Sequence, residues 1–299
     1  VSEGQGVRHL RRSFLYVPAS EERKVAKAPG LGADTVILDL EDSVAPERKE
    51  EGRARIRGLL GGSPPGGVEW LVRLNPLASF HFEADLACGV AARPDGLLIA
   101  KVDGPEVVRE ADRRLTAAER AAGRPTGGLK LFAMIESARG VLQAYAIATA
   151  SERMAGLILG HVDLSLDLGL SPGPAGRGTL HHARCQLVLA ARAARVDAVD
   201  AVYLNVRDLE GFQAEAVEAA GMGFAGKQVI HPGQIPLAHA AFTPSADRVR
   251  RAERILEAWK LAEAEGKGVA TLDGELLEPP VIAMEQLILE RARRAQPAS

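Results

Sequence analysis

Charged residues recur at one kind of place in this sequence, at or just after the end of a short apolar run. Glu41 and Asp42 follow Thr35-Val36-Ile37-Leu38-Asp39-Leu40, and Arg73 sits in Trp70-Leu71-Val72-Arg73-Leu74. Lys101 follows Leu97-Leu98-Ile99-Ala100, and Glu136 follows Leu131-Phe132-Ala133-Met134-Ile135. Leu157-Ile158-Leu159 leads through Gly160 towards Asp163, and Ala201-Val202-Tyr203-Leu204 ends at Asn205. Unpaired buried charge is costly, so its repeated appearance at the ends of apolar runs reads as chemistry. For Glu41, Asp42 and Lys101 taken singly, structural ion pairs are the competing explanation. Glu136 and Asp163 are separated by roughly one βα unit. Two carboxylates without a His or Cys partner suit a hard cation: Mg²⁺ takes one or two protein carboxylates, keeps several waters and leaves positions for substrate oxygens. No histidines have zinc-ligand spacing. His181-His182 reads as a solvated pair, whereas His161 is close enough to Asp163 to touch the site. Arg73 offers a two-pronged grip on a carboxylate or a developing enolate oxygen. Lys101 is in principle a Schiff-base residue, but the paired carboxylates already provide an electron sink.

These residues need a scaffold that brings the ends of many strands to one face. The apolar runs, from Phe14-Leu15-Tyr16-Val17 to Lys227-Gln228-Val229-Ile230, alternate with helical patterns over 21–27, 47–60, 106–122, 138–149, 180–194 and 209–220. Continuously apolar strands, each followed by a helix, indicate a parallel sheet covered on its outer face. About eight such units in roughly 250 residues is the size of a (β/α)₈ TIM barrel, whose active face carries the carboxyl ends of the strands. The competing architecture is a doubly wound open sheet, and no GxGxxG follows the first run to support its dinucleotide-binding form. Residues 1–243 are therefore expected to form the barrel. Residues 244–299 read as a helical extension: a charged amphipathic helix over 246–266, a turn or hairpin around Asp273-Gly274, and a last helix over 280–294. Such an appendage packs on a neighbouring subunit or covers a site. Gly/Pro-rich loops are expected at 61–67 and 171–178, the second on the active face.

Composition narrows the partners. The 299 residues are 46% hydrophobic and 25% charged, with a net charge of −2, which gives no electrostatic case for nucleic acid or anionic lipid. No apolar run approaches a membrane span, and the first ten residues lack the apolar core of a secretory signal. A cytoplasmic protein is expected. Cys88 and Cys185 lie far apart without CxxC spacing and read as buried small hydrophobes in a reducing compartment.

Several segments, in order, resemble the citrate lyase β-subunit-like (CitE-like) part of the HpcH/HpaI aldolase superfamily. They are Arg11-Arg12-Ser13-Phe14-Leu15-Tyr16-Val17-Pro18, Leu38-Asp39-Leu40-Glu41-Asp42-Ser43-Val44, Val72-Arg73-Leu74-Asn75, Ile135-Glu136-Ser137-Ala138-Arg139-Gly140 and Gly226-Lys227-Gln228-Val229-Ile230-His231-Pro232. The resemblance implies a TIM barrel, Mg²⁺ (with Mn²⁺ as a substitute) held by Glu136 and Asp163, Arg73 on the reacting end of the substrate, and Arg12 and Lys101 as cofactor-binding candidates. One departure is Gly160-His161-Val162-Asp163: the family often has Glu before the Asp, and here Val162 takes that place. The tail from Gly266 to Pro280 resembles that of malyl-CoA, methylmalyl-CoA and citramalyl-CoA lyases, which β-subunits acting on an acyl carrier protein tend to lack. In the CoA enzymes a carboxylate there reaches the neighbouring subunit's site. It is usually Asp, and Glu278 stands at that position, its alternative role being a helix N-terminal charge beside Pro280.

The expected reaction is reversible Claisen-type cleavage of a 3-hydroxyacyl thioester to a 2-oxo acid and an acyl thioester. Arg73 would stabilise the enolate, Glu278 would protonate it, and Glu41 and Asp42 would orient Arg73 or waters on the metal. A homotrimer or hexamer is expected by resemblance. A malyl-CoA thioesterase using water as nucleophile is the nearest alternative, followed by a citrate lyase β-subunit serving an acyl carrier protein. A pyruvate-type aldolase is less well matched, because residues 39–44 lack the His such enzymes carry.

Overall fold

The computed structural model describes residues 10–62, 64–170 and 176–295. Part of the 171–178 loop therefore lies outside the described residues. The described chain divides into two compact units: residues 11–238, and Leu10 with the residues from His239 onward. The division falls inside a helix and five residues before the expected boundary at 243.

The first unit is a closed barrel of eight parallel strands in sequential order. The strands are β1 (Ser13–Pro18), β2 (Thr35–Asp39), β3 (Glu69–Leu74), β4 (Gly96–Ile99), β5 (Lys130–Ile135), β6 (Met154–Leu159), β7 (Asp197–Asp200) and β8 (Gly226–Val229). Between and after them run α1 (Glu22–Lys27), α2 (Lys49–Leu60), α3 (Phe82–Ala92), α4 (Pro105–Ala121), α5 (Ala138–Leu142), α6 (Ala144–Ala148), α7 (His161–Asp167), α8 (Arg177–Ala194), α9 (Leu209–Met222) and α10 (Ile235–Phe242). The apolar runs become strands because each is buried on both faces. Phe14, Ile37, Leu71, Leu98, Phe132, Met134, Ile158 and Val199 fill the barrel as one cluster drawn from β1 to β7. The outer faces are covered by helices that bury residues at helical spacing, as α4 does with Val108, Ala111, Leu115 and Glu119.

Closure joins β1 to β8, pairing Phe14 with Gln228. Any side chain at Gly226 would collide with the backbone of Arg11, so closure at this seam requires glycine. Below the barrel, Arg11 donates to Glu69 at 2.6 and 2.8 Å and to Asp197 at 2.8 Å, tying together the amino ends of three strands.

Two expectations about elements need correction. The seventh strand is Asp197–Asp200, not the apolar 201–204, and Leu204 is 60% exposed. Asp197 and Asp200 can sit in a strand because Arg11, Arg184 and Lys227 pair with them. The helix expected over 138–149 is two short helices, with Gln143 in a non-helical conformation between them.

The second unit contains α11 (Ala246–Ala264), an antiparallel hairpin of β9 (Ala270–Leu272) and β10 (Glu275–Leu277), and α12 (Pro279–Ala295). Asp273 and Gly274 both have positive φ, 51° and 84°, as a two-residue type I′ turn requires. Ile255, Trp259, Leu277 and Ile282 form its core. No described helix is long and apolar enough to cross a membrane.

Candidate active site

The carboxyl ends of the strands surround a cavity of about 770 Å³. Tyr16, Arg73 and Met134 contribute to its lining from β1, β3 and β5, as do Glu136, Asp163 and Gln228 from the β5, β6 and β8 sectors. Lys24 and Lys27 of α1 line it too, so two cations flank a largely apolar opening.

Arg73 is the anchor of the site. Its Nε and Nη2 donate to the two oxygens of Asp39 at 2.6 and 2.7 Å. Its Nη1 stands 2.8 Å from Glu41 Oε2, but without hydrogen-bond alignment, so that buried oxygen has no donor among the described residues. Burial would raise the Asp39 carboxyl, but the charge and hydrogen bonds of Arg73 hold it below its ordinary value. Asp39 also accepts from the Glu41 amide at 2.9 Å and from Ser43. Asp39 therefore orients Arg73 through two aligned hydrogen bonds, and Glu41 adds an ion pair at the third nitrogen. Asp39 was missed because it lies inside an apolar run. The signal was that position itself, since a buried acid in a strand needs a cationic partner.

Glu41 is buried, and its carboxyl is pushed up to about 7 by burial, against the pull of Arg73 and with the help of the neighbouring Asp42. Asp42 itself is exposed at the cavity edge. Glu136 is 6% exposed. One of its oxygens accepts the Lys101 amide at 2.6 Å. The other lies against Gly160, where an added Cβ would come within 2.7 Å of it. Burial, then Glu41 and Asp163, push the Glu136 carboxyl up to about 8 despite the Lys101 hydrogen bond. Lys101 adopts φ 55°, a left-handed conformation, and its Nζ lies 3.6 Å from Glu41 and 3.7 Å from Asp163. Asp163 is half-exposed and stands in the first turn of α7, not at a strand end.

Glu41, Arg73, Lys101, Glu136 and Asp163 are thus brought together, with Asp42 at the rim. Of the other expected site residues in the barrel unit, Arg12, Asn205, His181 and His182 do not line the cavity. Arg12 precedes β1 at the opposite end of the barrel, and its guanidinium binds Asp34 at 2.8 and 2.9 Å. A residue before a parallel strand cannot reach the face where the strands end, so Arg12 is not a cofactor ligand at this cavity. Asn205 is exposed, five residues beyond β7. Glu278 is exposed between β10 and α12 in the second unit. His181 and His182 are exposed on α8. His161 does line the cavity, and its buried Nδ1 has no partner among the described residues. Burial holds its ring below the ordinary imidazole value.

Among the described residues no three His, Cys, Asp or Glu converge as a complete metal cage. The donor set still fits Mg²⁺, which needs only one or two carboxylates. Burial and the neighbouring acids raise the Glu136 carboxyl, and a dication beside it would offset both. All the candidate ligands are hard oxygens, and Gly160 leaves the space that Glu136 occupies.

A parallel barrel with acid, arginine and lysine side chains gathered at its carboxyl-end cavity is an enzyme scaffold. Comparison with known proteins names the kind. The HpcH/HpaI aldolase/citrate lyase family description matches residues 12–232. The citrate lyase β-subunit of Haemophilus influenzae is 39% identical over 284 residues, covering 95% of this chain and 97% of that one. The (3S)-malyl-CoA thioesterase of Cereibacter sphaeroides is 38% identical, covering 95% of each chain. A crystal structure of Mycobacterium tuberculosis CitE in complex with magnesium, acetoacetate and coenzyme A superposes with a TM-score of 0.77 at 31% identity, covering 94% of this chain and 97% of that one. The chain belongs to the HpcH/HpaI aldolase/citrate lyase family and is an enzyme of the lyase class. The tail does not set it apart from the Haemophilus β-subunit, because that match runs over nearly the full length of both chains.

Proposed function

We propose that this enzyme catalyses reversible Claisen-type cleavage of a 3-hydroxyacyl thioester of coenzyme A, of the malyl, methylmalyl or citramalyl type, to a 2-oxo acid and an acyl thioester. The observation that carries the reading is the meeting of Glu136, Asp163 and Arg73 around one cavity. Glu136 and Asp163 would hold Mg²⁺, with Mn²⁺ as a substitute. When bound, the ion acidifies a chelated hydroxyl and stabilises the carbonyl that replaces it.

The remaining roles fall to side chains. Glu41, with its carboxyl near neutrality, is matched to accept the hydroxyl proton. As the carbon–carbon bond breaks, its electron pair moves into the thioester carbonyl, and Arg73, locked by Asp39, faces the enolate oxygen. Glu278, contributed across a subunit interface of a homotrimer or hexamer, would deliver a proton to the enolate carbon. Lys24 and Lys27 suit the phosphates of coenzyme A, and Lys101 stands beside the carboxylates.

Two other readings have specific support. Hydrolysis of the thioester on the same site is supported by the likeness to the Cereibacter thioesterase. Action on an acyl-carrier-protein thioester is supported by the likeness to the Haemophilus β-subunit. Malyl-, methylmalyl- and citramalyl-CoA, assayed with and without Mg²⁺ for free 2-oxo acid and for free thiol, separate these outcomes. Release of 2-oxo acid without thiol supports the lyase. Glu136→Ala and Asp163→Ala should abolish turnover, and wild-type rates in both would sink the metal assignment.

A further inference from the structure

One polar atom at the floor of the cavity is used neither by the fold nor by the chemistry above. Tyr16 projects inward from β1, its ring packed on the barrel core and lining the cavity. The Arg73 guanidinium lies 5.1 Å from the ring centroid. The Tyr16 hydroxyl is buried and has no hydrogen-bond partner among the described residues. Leaving a buried hydroxyl unsatisfied carries a desolvation cost that a phenylalanine ring at the same place would not have. The charged groups that act on this hydroxyl are Arg73, Asp39, Glu136 and Glu41, which are the groups of the site itself. Burial raises the phenol far above its ordinary value, so it remains a protonated donor. Arg73, for its part, commits Nε and Nη2 to Asp39 and places Nη1 beside Glu41. That leaves few of its N–H groups for an incoming oxygen.

We propose that the Tyr16 hydroxyl donates a hydrogen bond to the thioester carbonyl oxygen that Arg73 faces, completing a two-donor pocket for the enolate. The inference rests on the lyase reading above. Negative charge develops on that oxygen as the carbon–carbon bond breaks, or as a proton leaves the α-carbon in the reverse direction. Tyr16 keeps its proton throughout, and no bond to it forms or breaks.

Tyr16→Phe removes only the hydroxyl and forfeits no hydrogen bond to the described residues, so Tm should stay level or rise. Loss of one oxyanion donor is worth about 10²- to 10³-fold in kcat in a fully formed hole. With Arg73 retained, a fall of about 10- to 100-fold in kcat is expected, with KM within about threefold and Mg²⁺ affinity unchanged. Exchange of α-deuterium from the acyl thioester product into solvent forms the same enolate without carbon–carbon cleavage, and it should slow by the same factor. Equal rates in wild type and Tyr16→Phe for both reactions would overturn the proposal. So would a rise in KM alone, or a loss of rate that parallels a loss of Tm. If the wild-type enzyme releases no 2-oxo acid and exchanges no deuterium, the lyase reading fails first and the role of Tyr16 falls with it.

Discussion

Gly160 sits where the barrel comes closest to its own chemistry, and replacing it with alanine is a sharp test of the metal site. A Cβ there would lie 2.7 Å from the Glu136 Cβ and 2.7 Å from its Oε2. Carbon atoms rest at about 3.5–4.0 Å, so Glu136 must retreat by roughly 1 Å or turn to another rotamer. Turning would break the 2.6 Å bond from the Lys101 amide. Overpacking of this kind costs about 1–3 kcal/mol of stability. Misplacing a reacting or ligating group by about 1 Å costs on the order of 10²-fold in rate. Gly160→Ala should therefore fold with a modestly lower Tm, bind Mg²⁺ about 10- to 100-fold more weakly and lose about 10²-fold in kcat/KM. Calorimetric Mg²⁺ titration, thermal melts and steady-state kinetics report the three quantities. Wild-type Mg²⁺ affinity and rate in Gly160→Ala would refute the claim that Glu136 is held in place by the absence of a side chain opposite it.

Three further outcomes are expected. The Glu136 carboxyl is raised to about 8, so between its ordinary value and about 8 the metal-free fold binds a proton that the unfolded chain has lost. Stability without Mg²⁺ should therefore decline as pH rises through that window. Mg²⁺ binding should release roughly one proton at pH 7 and almost none at about pH 9.5, and isothermal titration in buffers of different ionisation enthalpy measures this, equal release at both values counting against it. Asp200 is fully buried and accepts from Lys227 at 2.7 Å and Arg184 at 3.0 Å. Asp200→Ala removes the buried partner the two cations share but leaves Lys227 on Glu215 and Arg184 on Glu218, so it should lower unfolding free energy by about 1.5–3 kcal/mol, and no measurable loss in a denaturant titration would contradict it.

The legible part of this protein is the part where local pattern and burial agree. Glu136 and Lys101 each follow a strand in which no buried residue is polar, so a charge at its end stands out. Arg73 is legible as the one basic residue within its own apolar run, although its partner Asp39 is concealed among Val36, Ile37, Leu38 and Leu40. The seventh strand was misplaced because its acids, Asp197 and Asp200, are acceptable only once Arg11, Arg184 and Lys227 arrive from distant parts of the chain. Asp163 was assigned to a strand end, but Gly160 ends the extended run, and the next three residues turn directly into a helix. Arg12 belongs to the same short motif as Tyr16, yet four residues along a strand separate the two ends of a barrel. Lys227, within another motif that carries the resemblance, is fully buried and ion-paired, so that motif is partly structural.

The position of Lys101 has a consequence for how the site fills. Its ammonium lies within 4 Å of two of the clustered acids, and like charges at such distances repel. On the proposed metal assignment a dication coming to Glu136 and Asp163 would replace a charge already on hand, and the half-exposed lysine has open solvent into which to swing. The Lys101 ammonium thus restrains Glu41 and Asp163 from pushing one another apart. Displaced by such an ion, the ammonium would still offer a positive charge to the anionic thioester of the proposed reaction.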